Sequence, residues 1–236
     1  VIRQPAFPVE PWVVRETVLD LERLAQAESV FALSNGHVGL RANLDEGEPF
    51  GLPGTYLGGF FETRPLPAPE SVYGNPDASQ TVVNVTNGKI IRLLVEDEPF
   101  DVRHGDLRRH ERVLDLRAGT LARTAEWRSP TGRLIRVTST RLVSFTQRAV
   151  AVIRYEVQAL EEAFPVVVQS ELVTNEPLPQ REDDPRSAAV LTTPLVPELS
   201  YAEALRAVLI HSTRASRLRM GAGMDHTIDG PDATET

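Results

Sequence analysis

Apolar and polar positions alternate through most of this chain. Between Gln80 and Gln158 the alternation hardly pauses, running through TVVNVTN, KIIRLLVEDEPFDV, GTLARTAEWRS, RLIRVTSTRLVSF and RAVAVIRYEV in turn. Pairs such as Val150 and Val152 repeat with the period of two that turns one face of a strand to a core, and branched side chains favour extended backbone. Asn87-Gly88 and Ser129-Pro130-Thr131-Gly132 read as short turns between strands. FPVVVQSELVTN and ALRAVLIHSTRASRLRMGAG carry the pattern towards the C-terminus. Strands spaced this closely, without long helices between them, predict an all-β fold: an antiparallel sandwich or barrel with few short helices.

The opening of the chain is more mixed. Trp12, Val14, Glu16 and Val18 alternate as a strand would, and LDLERLAQAE (Leu19 to Glu28) predicts a short helix or turn. Val30 to Leu33 and Val38 to Arg41 read as two strands joined at Ser34-Asn35-Gly36-His37. Asn-Gly tolerates the positive φ of a type I′ hairpin turn, so Asn35 and Gly36 are assigned a structural role. GTYLGGFFE (Gly54 to Glu62) is a further strand candidate. Proline-rich TRPLPAPESVYGNPDAS (Thr63 to Ser79) and NEPLPQREDDPRSAA (Asn175 to Ala189) predict surface connections.

Composition narrows the setting. Of 236 residues 41% are hydrophobic and 25% charged, as in an ordinary soluble globular protein. A formal net charge of −8 argues against nucleic acid as a partner, because such binding needs a basic face. With no cysteine there is no disulfide and no zinc–thiolate site, which fits the cytoplasm. No apolar run approaches the roughly 20 residues that span a bilayer, so no membrane association is expected. Lys89 is the only lysine; the other basic residues are arginines. Asn84-Val85-Thr86 is a glycosylation triplet expected to go unused.

Candidate chemistry is sparse. The histidines, His37, His104, His110, His211 and His226, form neither HxH nor HExxH, and no metal site is expected. There is no GxSxG elbow, and Gly51-Leu52-Pro53-Gly54 lacks the lysine of a phosphate loop. Asp45-Glu46-Gly47-Glu48 lacks the ligand order of a calcium loop and reads as a solvated turn. Glycosidase chemistry needs paired carboxyls, or one carboxyl with phosphate, and no spacing marks such a pair. No catalytic residue is assigned.

The order of several segments carries more than any one motif. ESVFALSNGHVGLR (Glu28 to Arg41) followed by GTYLGGFFE resembles the opening of glycoside hydrolase family 65. RVLDLRAGTLAR (Arg112 to Arg123), Trp127, Gly132, TRLVSF (Thr140 to Phe145), AVIRYEV (Ala151 to Val157) and Ser170-Glu171-Leu172 continue the resemblance, which covers residues 11 to 220. That family contains maltose, trehalose and kojibiose phosphorylases and some hydrolases, such as acid trehalases. The resemblance implies a large N-terminal "super-sandwich" preceding a helical linker and an (α/α)6 catalytic barrel. Residues 1–236 are accordingly expected to be a single N-terminal domain of a longer enzyme, with the barrel and its catalytic acid outside this chain.

By the same resemblance, the whole enzyme would cleave a disaccharide with inversion to β-glucose 1-phosphate. Inorganic phosphate would be co-substrate, and no metal or organic cofactor is implied. The domain would pack on its own C-terminal barrel, support a homodimer and lend a loop to the substrate mouth. Arg41, Asp45, Glu46, Tyr56 and Phe60 are the candidate residues there. A salt bridge for Arg41 and sheet packing for Tyr56 and Phe60 stand as the structural alternatives. Where the family often has Arg-Gly this chain has Arg41-Ala42, so the loop geometry is expected to differ. The competing readings are a free-standing carbohydrate-binding sandwich and a trehalase-like hydrolase.

Overall fold

A computed structural model describes residues 7–49, 51–65, 78–177, 193–231 and 234. The strands are β1 (Val13–Glu16), β2 (Leu33–Ser34), β3 (Val38–Leu40), β4 (Thr55–Leu57), β5 (Phe61–Pro65), β6 (Ala78–Val82), β7 (Asn87–Val95) and β8 (Glu98–Pro99). They continue as β9 (Asp106–Asp115), β10 (Thr120–Arg128), β11 (Leu134–Val143), β12 (Ala151–Ala159), β13 (Val166–Val173), β14 (Leu195–Glu203), β15 (Arg206–Thr213) and β16 (Arg219–Asp225). Among the described residues one helix, α1 (Leu24–Val30), follows a 3-10 turn capped by the Asp20 side chain. The fold is all-β. No described helix is long and apolar enough to cross a membrane. The chain divides into two compact units, residues 1–58 with 89–171, and residues 59–88 with 172–236.

In the first unit, a five-stranded sheet runs β1-β9-β10-β11-β12, and β2-β3-β4 and β13-β7-β8 form two smaller sheets. Alternation decides which face of the large sheet is buried: Leu121, Arg123, Ala125 and Trp127 on β10, and Ile135, Val137, Ser139, Arg141 and Val143 on β11. Two apolar clusters cover that face. Phe31, Leu33, Val38 and Leu40 pack on Leu114, Leu121 and Val143 at one end. Leu93, Val95 and Phe100 pack on Ala125, Trp127, Ile135 and Val137 at the other. Between the clusters lies a polar rank, fixed by register: Glu16 opposite Arg112, Arg112 opposite Arg123, Arg123 opposite Ser139, and Ser139 opposite Tyr155.

Trp127 anchors the second cluster. It is fully buried, meets the edge of Phe100 with ring centroids 5.4 Å apart, and donates its indole N–H to the His104 carbonyl at 2.6 Å. Gly105 permits this approach. At φ +77° it takes a conformation costly for other residues, and a Cβ there would stand 2.8 Å from the indole nitrogen.

The second unit holds the sheet β14-β15-β16 and the hairpin β5-β6. Both Glu62 oxygens accept amide hydrogens from the β15–β16 turn, from Ala215 at 3.0 and 3.1 Å and from Ser216 at 2.7 Å. These bonds hold Glu62 below the ordinary carboxylate pKa although burial opposes them.

Several local expectations change. Val30 closes α1 rather than opening a strand, because Leu24, Ala27 and Glu28 bury one face at helical spacing. Asn87-Gly88 is not a turn but the start of β7, where a Cβ on Gly88 would press on Leu172 at 3.1 Å. Strand β14 was hidden by Pro197, which sits at a register shift and interrupts the alternation. Most of both proline-rich connections, residues 66–77 and 178–192, lies outside the described residues.

Trp127→Ala should cost about 3–5 kcal/mol in urea unfolding followed by circular dichroism, and Trp127→Phe clearly less.

Candidate functional site

The segment between β3 and β4, residues 41–54, contains the acidic turn. Gly47 turns it at φ +81°, with its N–H donating to the Leu44 carbonyl at 3.2 Å. The turn is not solvated. Asp45 is 1% and Glu46 3% exposed, and both point into the polar rank of the large sheet. Asp45 accepts from Arg141 Nη2 at 2.6 Å, Ser139 Oγ at 2.7 Å and Arg123 Nη1 at 3.1 Å. Glu46 takes Arg123 in a two-pronged pair, at 2.5 Å from Nη1 and 2.8 Å from Nη2. The amide of Ile91 on β7 donates to the Asp45 carbonyl at 2.7 Å, closing the turn against the second layer.

Further along the rank, Arg112 Nε donates to Glu16 at 2.6 Å and its Nη1 to the Ala42 carbonyl at 3.2 Å. His110 Nε2 lies 3.1 Å from the same Glu16 oxygen. Three guanidiniums, Arg112, Arg123 and Arg141, thus meet three carboxylates, Glu16, Asp45 and Glu46, inside one unit. Burial works to raise the Asp45 pKa, but the charges of Arg141 and Arg123 and the Ser139 hydrogen bond hold it below its ordinary value. Glu16 behaves likewise: burial is outweighed by hydrogen bonds from His110 and Arg112. Burial, reinforced by Arg123 and Arg112, pushes His110 down despite Glu16. Burial beside Asp45 and Glu46 pushes the Tyr155 phenol well up.

Arg41 turns back to helix α1. It donates to Ser29 Oγ and the Ala25 carbonyl, each at 2.6 Å, and lies 3.4 Å from the fully buried Glu28. Glu28 in turn accepts the amides of Gly51 and Leu52 at 3.0 and 3.1 Å. Tyr56 is half-buried on β4 opposite Gly39. Lys89, buried, donates to Thr55 Oγ1 at 2.6 Å and to the Gly54 carbonyl at 3.3 Å, tying β7 to the start of β4. Phe60 is buried and belongs to the second unit. Of the five candidates only Asp45 and Glu46 share a cluster.

At the hairpin, Gly36 alone has positive φ, +82°, so the turn is not type I′. Asn35 instead accepts the amides of His37 and Val38 on its side-chain oxygen at 2.9 and 2.8 Å. Its Nδ2 donates to the Ser144 and Arg148 carbonyls at 2.6 and 2.9 Å. Beside the acidic turn lies a cleft of about 190 Å³ whose lining includes Glu46, Glu48, Arg92, Phe100, Asp101 and Gln169. Among the described residues no three His, Asp or Glu side chains are grouped to hold a metal ion. Sequence reasoning passed over Glu16, Glu28, Arg112, Arg123 and Arg141. The available signal was parity: Arg123 stands between Leu121 and Ala125 on the inward face of β10, and Arg141 between Ser139 and Val143 on that of β11, where a charge needs a buried partner.

The chain as a whole falls in a defined class of proteins. The model for the N-terminal domain of glycosyl hydrolase family 65 matches residues 14–236, and the chain belongs to that family. An uncharacterized glycosyl hydrolase of Mycobacterium tuberculosis is 62% identical over 99% of this chain and 30% of its own length. The α,α-trehalose phosphorylase of Thermoanaerobacter brockii is 29% identical over 96% of the chain and 30% of its own length. The solved structure of a protein assigned as a kojibiose phosphorylase from the human microbiome superposes with a TM-score of 0.79 at 21% identity. It covers 96% of this chain and 29% of that one, and shows the shared fold. The chain therefore spans about 30% of the length of these relatives.

Asp45→Ala should cost about 3–5 kcal/mol, because it leaves Arg141 and Ser139 buried without their acceptor. Equilibrium unfolding against the unaltered chain measures this.

Acid should weaken the fold in two stages. The His110 pKa is lower folded than unfolded, so stability declines as pH falls below about 6.5. The depressed carboxyls of Glu16 and Asp45 contribute fully above their unfolded values, and that contribution is lost below about pH 4.5. Melting temperatures across pH 3–8 should show both limbs, and His110→Gln should flatten the upper one.

Proposed function

We propose that this chain is the non-catalytic N-terminal part of a disaccharide phosphorylase that cleaves a maltose-, trehalose- or kojibiose-type α-glucoside with inversion. The observation that carries the non-catalytic role is the fate of the acidic turn. Asp45 and Glu46 are engaged by Arg123 and Arg141 in the interior, and the pKa of Asp45 is lowered rather than raised. A glycosidic general acid must reach the leaving oxygen and hold a proton near neutral pH. The activity itself is supported by the names of relatives: trehalose phosphorylase, and the maltose phosphorylase of Bacillus subtilis, which is 28% identical over 67% of this chain.

In this reading an acid outside the chain protonates the glycosidic oxygen while inorganic phosphate attacks the anomeric carbon from the opposite face. β-Glucose 1-phosphate and the second sugar leave. No metal or organic cofactor enters. The domain braces the catalytic part, supports a homodimer and lends a loop to the substrate mouth. The lack of cysteine suits a cytoplasmic setting. A second reading, hydrolysis, is favoured by one finding: the 62% identical mycobacterial relative is named a glycosyl hydrolase.

The full-length protein and the 236-residue chain should each be offered maltose, trehalose, kojibiose and nigerose, with and without phosphate. Sugar phosphate from the full-length protein alone, only when phosphate is present, is expected. Glucose release without phosphate would establish the hydrolytic reading. Turnover by the 236-residue chain would overturn the non-catalytic role.

A further inference from the structure

Trp12 takes a backbone conformation that its size makes costly. Glu10 pairs with Val13, so Pro11 and Trp12 are the central residues of a tight turn at the start of β1. Proline followed by a residue of positive φ is the pattern of a type II turn, whose second central position ordinarily holds glycine or asparagine. Here tryptophan stands there at φ +63°, the only aromatic among the five non-glycine residues with positive φ in the described chain. Burial does not explain the choice. Trp12 is 57% exposed, whereas Trp127, the other tryptophan, is fully buried.

The indole is nonetheless held in place. The Trp12 carbonyl accepts the Leu116 amide at 2.9 Å, which ties the turn to the end of β9. Arg117 stacks on the ring, its guanidinium carbon 5.3 Å from the centroid. The Asp115 side chain fixes the turn that carries Arg117 by accepting the amides of Arg117 and Ala118 at 2.8 and 2.9 Å. Arg117 is exposed, and among the described residues its guanidinium makes no hydrogen bond or ion pair. A strained, exposed ring braced from a second turn is the arrangement of a ligand clamp. The ground it offers is small: with Leu116 beside it, 54% exposed, it amounts to on the order of 200 Å². A stable protein interface buries roughly 800 Å² per partner. One sugar ring fits the smaller figure. The C–H face of a pyranose lies flat on an indole, and its hydroxyl oxygens accept from a guanidinium at the ring's edge. Glu10 and Asp115, carboxylates within two residues of Trp12 and Arg117, favour a neutral polyol over a phosphate ester.

We propose that Trp12 and Arg117 form a binding platform for one pyranose ring of a neutral glucoside. The choice of glucosides rests on the reading of the intact protein as a disaccharide-cleaving enzyme, but not on whether phosphate or water is its nucleophile.

The test is oxidation of Trp12 by N-bromosuccinimide in the full-length protein without phosphate, read by peptide mass spectrometry. Maltose, trehalose, kojibiose and glucose 1-phosphate are each added, with sorbitol at equal concentration as the blank. Trp12 should be oxidised freely in the blank and about fivefold more slowly with at least one of the disaccharides in the millimolar range. Arg117→Ala should raise the half-protecting concentration about tenfold. Oxidation unchanged by every disaccharide would overturn the proposal. So would protection already present in the blank, which would mean that other polypeptide covers the ring. Protection by glucose 1-phosphate alone would make the phosphate the ligand, and also overturns it. Independently, Trp12→Gly relieves the positive φ and should leave the melting temperature of the 236-residue chain unchanged or higher. A fall of about 3 °C or more would show that Trp12 is there for packing. Protection is read without turnover, so phosphorolysis can fail in the activity assay while the platform stands, and the reverse.

Discussion

One carboxylate inside the first unit, that of Asp45, sets the conditions for much around it. It meets guanidiniums from two neighbouring strands, Arg123 on β10 and Arg141 on β11, and the hydroxyl of Ser139. Those strands can afford arginine on their inward face only because an acidic turn arrives from the opposite layer. The turn can be buried only because the arginines wait for it. Neither half is tolerable alone, since an unpaired buried charge costs several kcal/mol.

This mutual need fixes geometry more than it adds net stability. A buried ion pair often breaks even against an apolar replacement of similar volume. Its effect on register is different in kind. Slipping β11 by one residue would turn Arg141 and Ser139 out to solvent and strand Asp45 and Glu46 in the interior. The apolar clusters on either side, around Phe31 and around Trp127, would tolerate exchanges of similar volume. The polar rank between them would not. Three positive and three negative side chains in one layer tie β1, β9, β10 and β11 to residues 41–54 by direction as well as by area.

How much of this the sequence discloses depends on the distance between cause and effect. Strands β10 and β11 are legible because their alternation is local, and the turn at Ser129–Gly132 because glycine and proline mark it; Gly132 has φ +101°. Trp127 is legible as core because it keeps the parity of its neighbours. The buried state of Asp45 is not, since an acidic run beside glycine looks solvated and its partners lie 78 and 96 residues away. The same remoteness hides Glu28, whose ligands arrive from the loop beyond the hairpin. Family membership was readable where single residues were not, because it rests on the order of many short segments.

Lysine usage has a practical corollary. Lys89 is the only side-chain amine in 236 residues, and it is enclosed with its Nζ on Thr55 and Gly54. Amine-directed reagents, from acylating dyes to bifunctional cross-linkers, therefore find no lysine on the folded surface. An acyl group on Lys89 would mean that β7 had parted from the start of β4. The chain thus carries a chemical reporter of its own opening, silent while the first unit is closed.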